Sequence, residues 1–236
     1  MTEPVVIEAP AKLTLSLRVT GTRPDGYHLI DAEMVTIALH DTLTFSAGDA
    51  LEIVGIDVAA DESNLVRRAL TLIGRTAHVR VDKRIPPGAG LGGGSADAAA
   101  VLRWAMIDNL EIAARLGADV PFCLYTGRAR VTGVGERVEA LSIEPRTFTL
   151  SIPPFGCATA DVYRAWDDMG GPHGPGSNDL ELAALRVEPR LAKWRDRLAA
   201  ATGQQPQLAG SGSTWFVEGD FPGDDRIVVT TMYYSG

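Results

Sequence analysis

Apolar and polar positions alternate most clearly near the start of the chain. Leu15 and Leu17 alternate with Ser16 and Arg18, the period-2 pattern of a half-buried strand. Strands are predicted over residues 5–7 and 13–19, with Pro10 and Ala11 as a break between them. Two more are predicted over 31–39 and 42–45, with His40-Asp41 as a turn. Residues 21–26 are turn-rich. Leu65, Ala69, Leu70 and Leu72 give an apolar helical face, so a helix is predicted over 64–74, stopped by Gly74. Residues 78–81 alternate again. An alanine-rich helix follows over 95–106 with Ser95 near its cap, then a short helix over 109–116 that ends at Gly117. Asp119 is placed to cap the next helix, with Pro121 in its first turn.

Further strands are predicted over 128–134, 148–152, 215–217 and 227–231, and one begins at Leu208. Helices are predicted over 180–185 and 190–198. Residues 170–178, rich in glycine and proline, form a flexible loop. Strands and helices mix without a regular βαβ alternation, which favours an α+β fold over a doubly wound α/β one.

Composition narrows the function classes. The 236 residues suffice for one large or two small domains. The net charge of −8 argues against nucleic acid as a partner, because such proteins usually present a basic face. Cys123 and Cys157 form no CxxC pair, and the four histidines lack metal-ligand spacing. Glu3 and Glu8, with no basic segment leading an apolar core, predict no signal peptide. No run reaches the ~18 apolar residues of a membrane span. A reduced, cytoplasmic protein is expected.

The chemistry concentrates at residues 86–100. Five glycines fall between Gly88 and Gly94, and a serine and the alanine-rich helix follow. Glycines let a backbone approach a ligand, and a helix N-terminus offers unpaired N–H groups. Together they make an anion site, most simply for nucleotide phosphates. Gly88, Gly90 and Gly93 spell G-x-G-x-x-G, but six residues separate them from the predicted strand. The dinucleotide motif needs a strand running straight into its first glycine, and the Walker pattern needs a lysine that is absent here.

Pro86 to Ala99 resembles the second motif of the GHMP kinases, small-molecule kinases of the galactokinase, homoserine kinase and mevalonate kinase superfamily. Ala9-Pro10-Ala11-Lys12-Leu13 resembles its opening motif, Leu116 to Phe122 the segment carrying the catalytic aspartate, and Leu208 to Ser213 the third glycine motif. Arg23-Pro24-Asp25-Gly26-Tyr27-His28 is most similar to the branch that phosphorylates a hydroxyl of a cytidine-diphosphate-linked methylerythritol in non-mevalonate isoprenoid synthesis. The resemblance covers roughly residues 5–220. It implies two α+β lobes with the active site in the cleft between them: residues 1–143 as an N-terminal ATP-binding lobe and 144–236 as a C-terminal lobe.

The resemblance also assigns residues. Lys12 and Asp119 are the expected catalytic pair, with Asp119 as base. The other reading of Asp119 is a plain helix cap. Pro86, Gly88, Gly90 and Leu91, then Gly92, Gly93, Gly94 and Ser95, are expected to hold ATP, and Asn64 and Lys83 its adenine region. Ser95 is also the candidate for Mg²⁺; no side chain is assigned as a direct metal ligand. Tyr27 and Tyr163 are expected to stack on the pyrimidine, His28 to read its edge and Thr159 to bond the substrate. Gly210 and Ser211 are expected near the substrate or the phosphate loop. Thr14 stands where the family usually has Asn, and the segment before Asp119 is short. The implied partner is a small molecule bearing a cytidine diphosphate, with neither nucleic acid nor membrane, and the chain is expected to be a monomer or weak homodimer. The alternatives are a GHMP kinase for a smaller alcohol such as homoserine or mevalonate, and a non-catalytic nucleotide binder.

Overall fold

One long hairpin organises the first half of the chain. β1 (Val5–Thr22) and β2 (His28–Ser46) pair antiparallel from Val5 opposite Phe45 to Thr22 opposite His28. The computed structural model describes residues 3–174 and 176–232. The breaks expected at Pro10-Ala11 and His40-Asp41 are absent. β1 passes through Pro10 because the register shifts between Pro10 and Lys12, and a bulge tolerates a residue without an N–H. The N–H of Lys12 leaves the ladder and donates to the carbonyl of Leu91 at 3.0 Å. His40-Asp41 stays extended because the Asp41 side chain is fully buried, accepting from the backbone N–H groups of Arg84 and Ile85.

β3 (Ala50–Gly55), β4 (His78–Lys83), β5 (Arg128–Gly133) and β6 (Arg137–Ala140) complete the first sheet in the order β3-β4-β2-β5-β6, with β1 also on β2. β5 pairs with residues 30–35 of β2 and β4 with residues 42–46. β3 and β6 lay outside the sequence expectation, and β4 runs two residues further than expected. β3 and β6 are mostly exposed, so they carry little of the apolar alternation that marks a half-buried strand.

Four helices pack with this sheet: α1 (Leu65–Leu72), α2 (Gly93–Trp104), α3 (Leu110–Leu116) and α4 (Val120–Tyr125). From Ala96 to Leu102, α2 is buried all round, against β1, α1 and α4. Its alanines let it lie close to its neighbours, and Leu102→Ala would cost about 2–5 kcal/mol in a core of this kind. The helix is shifted from the expected 95–106: it starts at Gly93 and ends before Met106, whose φ of 58° breaks the helical run.

The second half forms a four-stranded antiparallel sheet from β7 (Thr147–Ser151), β8 (Gln207–Leu208), β9 (Trp215–Glu218) and β10 (Ile227–Thr230), ordered β10-β7-β9-β8. Three helices accompany it: α5 (Thr159–Asp168), α6 (Glu181–Val187) and α7 (Leu191–Thr202). α5 was not expected as a helix, although Val162, Ala165 and Trp166 supply its buried face at helical spacing. Leu13, Val35 and Ile37 of the first sheet share a core with Phe148, Leu150 and Phe216 of the second. The α+β class expected from the sequence is the class observed.

Candidate active site

A cavity of about 860 Å³ opens between the β1–β2 hairpin, the glycine loop, α5 and the turn at Gly210. Local backbone chemistry builds its floor. Gly90 has φ of +75°, and a Cβ there would lie 2.1 Å from the carbonyl oxygen of Ala209. Gly92, at φ of +71°, is the left-handed N-cap of α2, and its Cβ would strike the Lys12 side chain at 2.8 Å. Only glycine fits either place. α2 therefore begins at the cavity wall, with Gly93, Gly94 and Ser95 lining it. The first N–H groups of a helix have no partner within it. Ser95 is the third residue of α2 and not its cap, so its hydroxyl is not spent on capping.

Lys12 and Asp119 meet across the same cavity. The bulge at Pro10 and Lys12 turns β1 toward the loop, and the Lys12 ammonium lies 3.4 Å from the Asp119 carboxylate. Lys12 is buried, whereas the Asp119 side chain is one-third exposed. The ammonium also donates to the Thr14 hydroxyl at 3.1 Å. Asp119 does occupy the N-cap position of α4, but its side chain makes no capping bond. The carboxylate is thus free of the helix end and faces the cavity beside the buried ammonium.

The opposite end is aromatic. His28 stacks on Tyr163, ring centroids 4.6 Å apart, and meets Trp166 edge-on at 5.7 Å. Its Nε2 lies 2.8 Å from the Asp167 carboxylate. In the tautomer whose Nε2–H donates to this carboxylate, Nδ1 is an acceptor. Burial pushes the Tyr163 phenol well above its ordinary range, and the charge of Asp119 adds to this. Tyr27 is 62% exposed at the rim, with Arg23 over its ring. The Thr159 and Ser211 hydroxyls lie 2.9 Å apart in the wall.

Most of the residues singled out from the sequence line this one cavity: Lys12, Thr14, Tyr27, His28, Pro86, Gly88, Gly90, Gly92 to Ser95, Asp119, Thr159, Tyr163, Gly210 and Ser211. Three do not. Leu91 is fully buried in the core. Asn64 caps α1, accepting from the N–H of Val66, and its amide donates to the carbonyl of Ala59. Lys83 is buried beneath the loop, its ammonium 2.5 Å from Asp41 and 2.6 Å from Asp97. It borders a separate cavity of about 360 Å³ beside Val54, Gly55 and Arg84.

Asp41, Asp97 and Asp167 were missed in the sequence. Burial raises the Asp97 carboxyl to about 7; Lys83 beside it opposes the rise and Asp41 adds to it. For Asp41 and Asp97 the available signal was the lysine that ends β4, which a buried position tolerates only with counter-charges; Asp167 had none.

Among the described residues, no group of three or more His, Cys, Asp or Glu side chains is placed to hold a metal ion, and no helix is long and apolar enough to cross a membrane.

Known proteins resemble this chain in sequence and fold. Residues 64–127 match the model of the GHMP kinases N terminal domain. The homologue from Paracoccus denitrificans, 4-diphosphocytidyl-2-C-methyl-D-erythritol kinase, is 38% identical over 231 residues, covering 88% of this chain and 84% of that protein. The enzyme of the same name from Pelotomaculum thermopropionicum is 37% identical, covering 88% and 86%. A crystal structure of 4-(cytidine 5'-diphospho)-2C-methyl-D-erythritol kinase superposes with a TM-score of 0.78 at 32% identity, covering 96% of this chain and 99% of that one. A putative homoserine kinase from Listeria monocytogenes, at 20% identity and a TM-score of 0.58, shares the fold. The fold is that of the GHMP kinases. Within them, the chain belongs to the 4-diphosphocytidyl-2-C-methyl-D-erythritol kinase family.

Proposed function

We propose that this protein is an ATP-dependent kinase that phosphorylates the 2-hydroxyl of 4-diphosphocytidyl-2-C-methyl-D-erythritol in non-mevalonate isoprenoid synthesis, in the cytoplasm. The observation that carries the reading is the Lys12–Asp119 pair, 3.4 Å apart, in one cavity with the glycine loop and the His28–Tyr163 stack. The loop and the α2 N-terminus hold the ATP phosphates. Asp119 takes the proton of the acceptor hydroxyl as its oxygen bonds to the γ-phosphorus. The bond from that phosphorus to the β,γ-bridging oxygen breaks, and ADP leaves. Lys12 stabilises the transferring group, in a reaction that depends on positioning and charge more than on covalent help.

Mg²⁺ fits such a site. It is commonly held by one or two protein oxygens together with substrate phosphates and water, and the Ser95 hydroxyl lines the cavity at the head of α2. Ser95 would hold it; when bound, the ion neutralises phosphate charge.

The substrate's base end meets His28. In the tautomer whose Nε2–H donates to Asp167, Nδ1 is an acceptor that suits the amino group of cytosine, a donor that uracil lacks at that position. Tyr163 backs the imidazole and Tyr27 offers an open face for stacking, while Thr159, Gly210 and Ser211 face the substrate between the two ends. Asn64 and Lys83 act from below, by fixing α1 and the entry to the loop. A division near residue 143 into an ATP-binding lobe and a C-terminal lobe is supported by the link at residues 141–146, between the last strand of one sheet and the first of the other.

The test is ADP release from Mg·ATP with 4-diphosphocytidyl-2-C-methyl-D-erythritol beside homoserine and mevalonate. Turnover with the cytidyl acceptor alone is expected. Turnover with another alcohol would discard the cytidine site, and ATP binding without turnover on any acceptor would leave a binding protein.

A further inference from the structure

Asn178 and Asp179 lie outside the cavity lining, and no role above uses them, yet both are almost completely buried. The Asn178 amide spends both of its donors on the third glycine turn, one to the carbonyl of Leu208 at 2.8 Å and one to that of Gly210 at 2.7 Å. Its oxygen accepts from the N–H of Leu180. The same segment is fastened to β1. The N–H of Leu17 donates to Ser177, the N–H of Asp179 donates to Leu17, and the Asp179 carboxylate takes Arg18 and the N–H of Val19. One short segment thus joins the strand that carries Lys12 to the turn that carries Gly210 and Ser211.

That turn touches the reacting region on two sides. A Cβ at Gly210 would lie 3.3 Å from the Lys12 ammonium and 3.7 Å from the Thr14 hydroxyl. The N–H groups of Ser213 and Thr214 donate to the carbonyls of Gly88 and Ala89 in the phosphate loop, at 3.0 and 3.1 Å. Among the described residues, and apart from the short β8–β9 pairing, the turn's backbone bonds run within itself, to the phosphate loop or to the Asn178 amide. From β1's side of the cavity, the Asn178 amide bonds the turn itself, and the Ser177 hydroxyl donates to Gln207 just before it at 2.7 Å.

We propose that Asn178 is a positioning residue for phosphoryl transfer: through the carbonyls of Leu208 and Gly210 it sets the third glycine turn against Lys12 and the phosphate loop. It touches neither nucleotide nor acceptor. Asp179 anchors it to β1. The catalytic part of this proposal rests on the kinase reading of the cavity; the mechanical part does not.

The test is Asn178→Asp, which keeps the shape but points a carboxylate at two carbonyl oxygens. Hydrogen exchange at the amides of Gly212, Ser213 and Thr214 should accelerate at least tenfold, with the amides of α7 unchanged. With Mg·ATP and the cytidyl acceptor, kcat should fall about 100-fold while equilibrium ATP affinity stays within threefold. Asn178→Ser, which retains one short donor, should fall between, and serves if the first variant does not fold. Leu198→Ala, a core substitution in α7, controls for lost stability: at a temperature where it is folded it should keep its kcat. Unchanged exchange, a kcat within threefold of the parent, or an equal loss of kcat in Leu198→Ala would overturn the proposal. Should the parent itself turn over no acceptor, the kinase reading fails and the exchange data still decide whether Asn178 holds the turn.

Discussion

The Lys12 ammonium sits 3.4 Å from the Asp119 carboxylate, with the lysine buried and the aspartate open to the cavity. Stability alone does not account for this geometry. Burying an ammonium costs several kcal/mol, and a pairing with a partly solvated carboxylate at this distance returns only part of it. The arrangement suits a site that needs a fixed positive charge beside a proton acceptor.

Lys12→Met should therefore separate activity from stability. Removing one fixed charge donor from a transition state commonly costs 10²–10³ in rate, so kcat should fall by about that factor. The melting temperature should hold or rise, because a buried charge is replaced by an apolar chain of similar length. Steady-state kinetics and thermal unfolding on the same preparation check both.

Gly90→Ala should weaken nucleotide binding without touching the catalytic pair. The added methyl would meet the Ala209 carbonyl at 2.1 Å and would need a left-handed backbone. The loop must move, so the KM for ATP should rise at least tenfold, with the KM for the acceptor less affected. Equilibrium titration with ATP gives an independent reading.

The cytidine end should be separable from the phosphate end. Tyr27→Ala removes a stacking face of the kind worth roughly 1–3 kcal/mol per base, so the KM for the cytidyl acceptor should rise about 5- to 100-fold at constant ATP affinity. His28→Ala should act in the same direction and also relax discrimination between cytidine and uridine forms of the acceptor. Equal activity with both forms in the parent would contradict the reading of Nδ1 as an acceptor.

Asp179 should make stability fall at acid pH. Burial alone would raise its carboxyl, but the bonds from Arg18, His173 and the Val19 N–H outweigh burial and hold it below the ordinary value. A carboxyl depressed in the folded state stabilises fully above its unfolded value near 3.8 and loses that contribution as pH drops through the folded value. Asp179→Asn should cost about 1.5–3 kcal/mol at pH 7, the range for hydrogen bonds to a charged group. The gap between parent and variant should close below about pH 4. Urea unfolding at several pH values measures it.

Much of this site was legible in the sequence because it is written in local backbone chemistry. The glycines of residues 88–94 and the helix after them point to an anion site before any fold is known, Lys12 and Asp119 came from short motifs, and Tyr163 came from its position in the family resemblance. What the sequence concealed were long-range pairings. Pro10 and His40-Asp41 look like breaks, and only the partner strand and the carboxylate's distant N–H donors explain why the chain stays extended. Lys83 was assigned to the adenine region by resemblance alone, and the two buried carboxylates that hold its ammonium come from β2 and α2. Asn178 has no local pattern, since both of its acceptors lie some thirty residues away. α5 escaped notice because its first turn follows a glycine- and proline-containing segment with no side-chain cap.

The most direct measurement compares the parent and Asp119→Asn, each with Mg·ATP and 4-diphosphocytidyl-2-C-methyl-D-erythritol, for kcat and for ATP affinity at equilibrium. If Asp119 takes the hydroxyl proton, kcat falls by about 10²–10⁴, the usual worth of a positioned base, and ATP affinity stays within threefold. A variant that keeps the parent's kcat would contradict the assignment of Asp119 as the base and, with it, the chemical role of its pairing with Lys12.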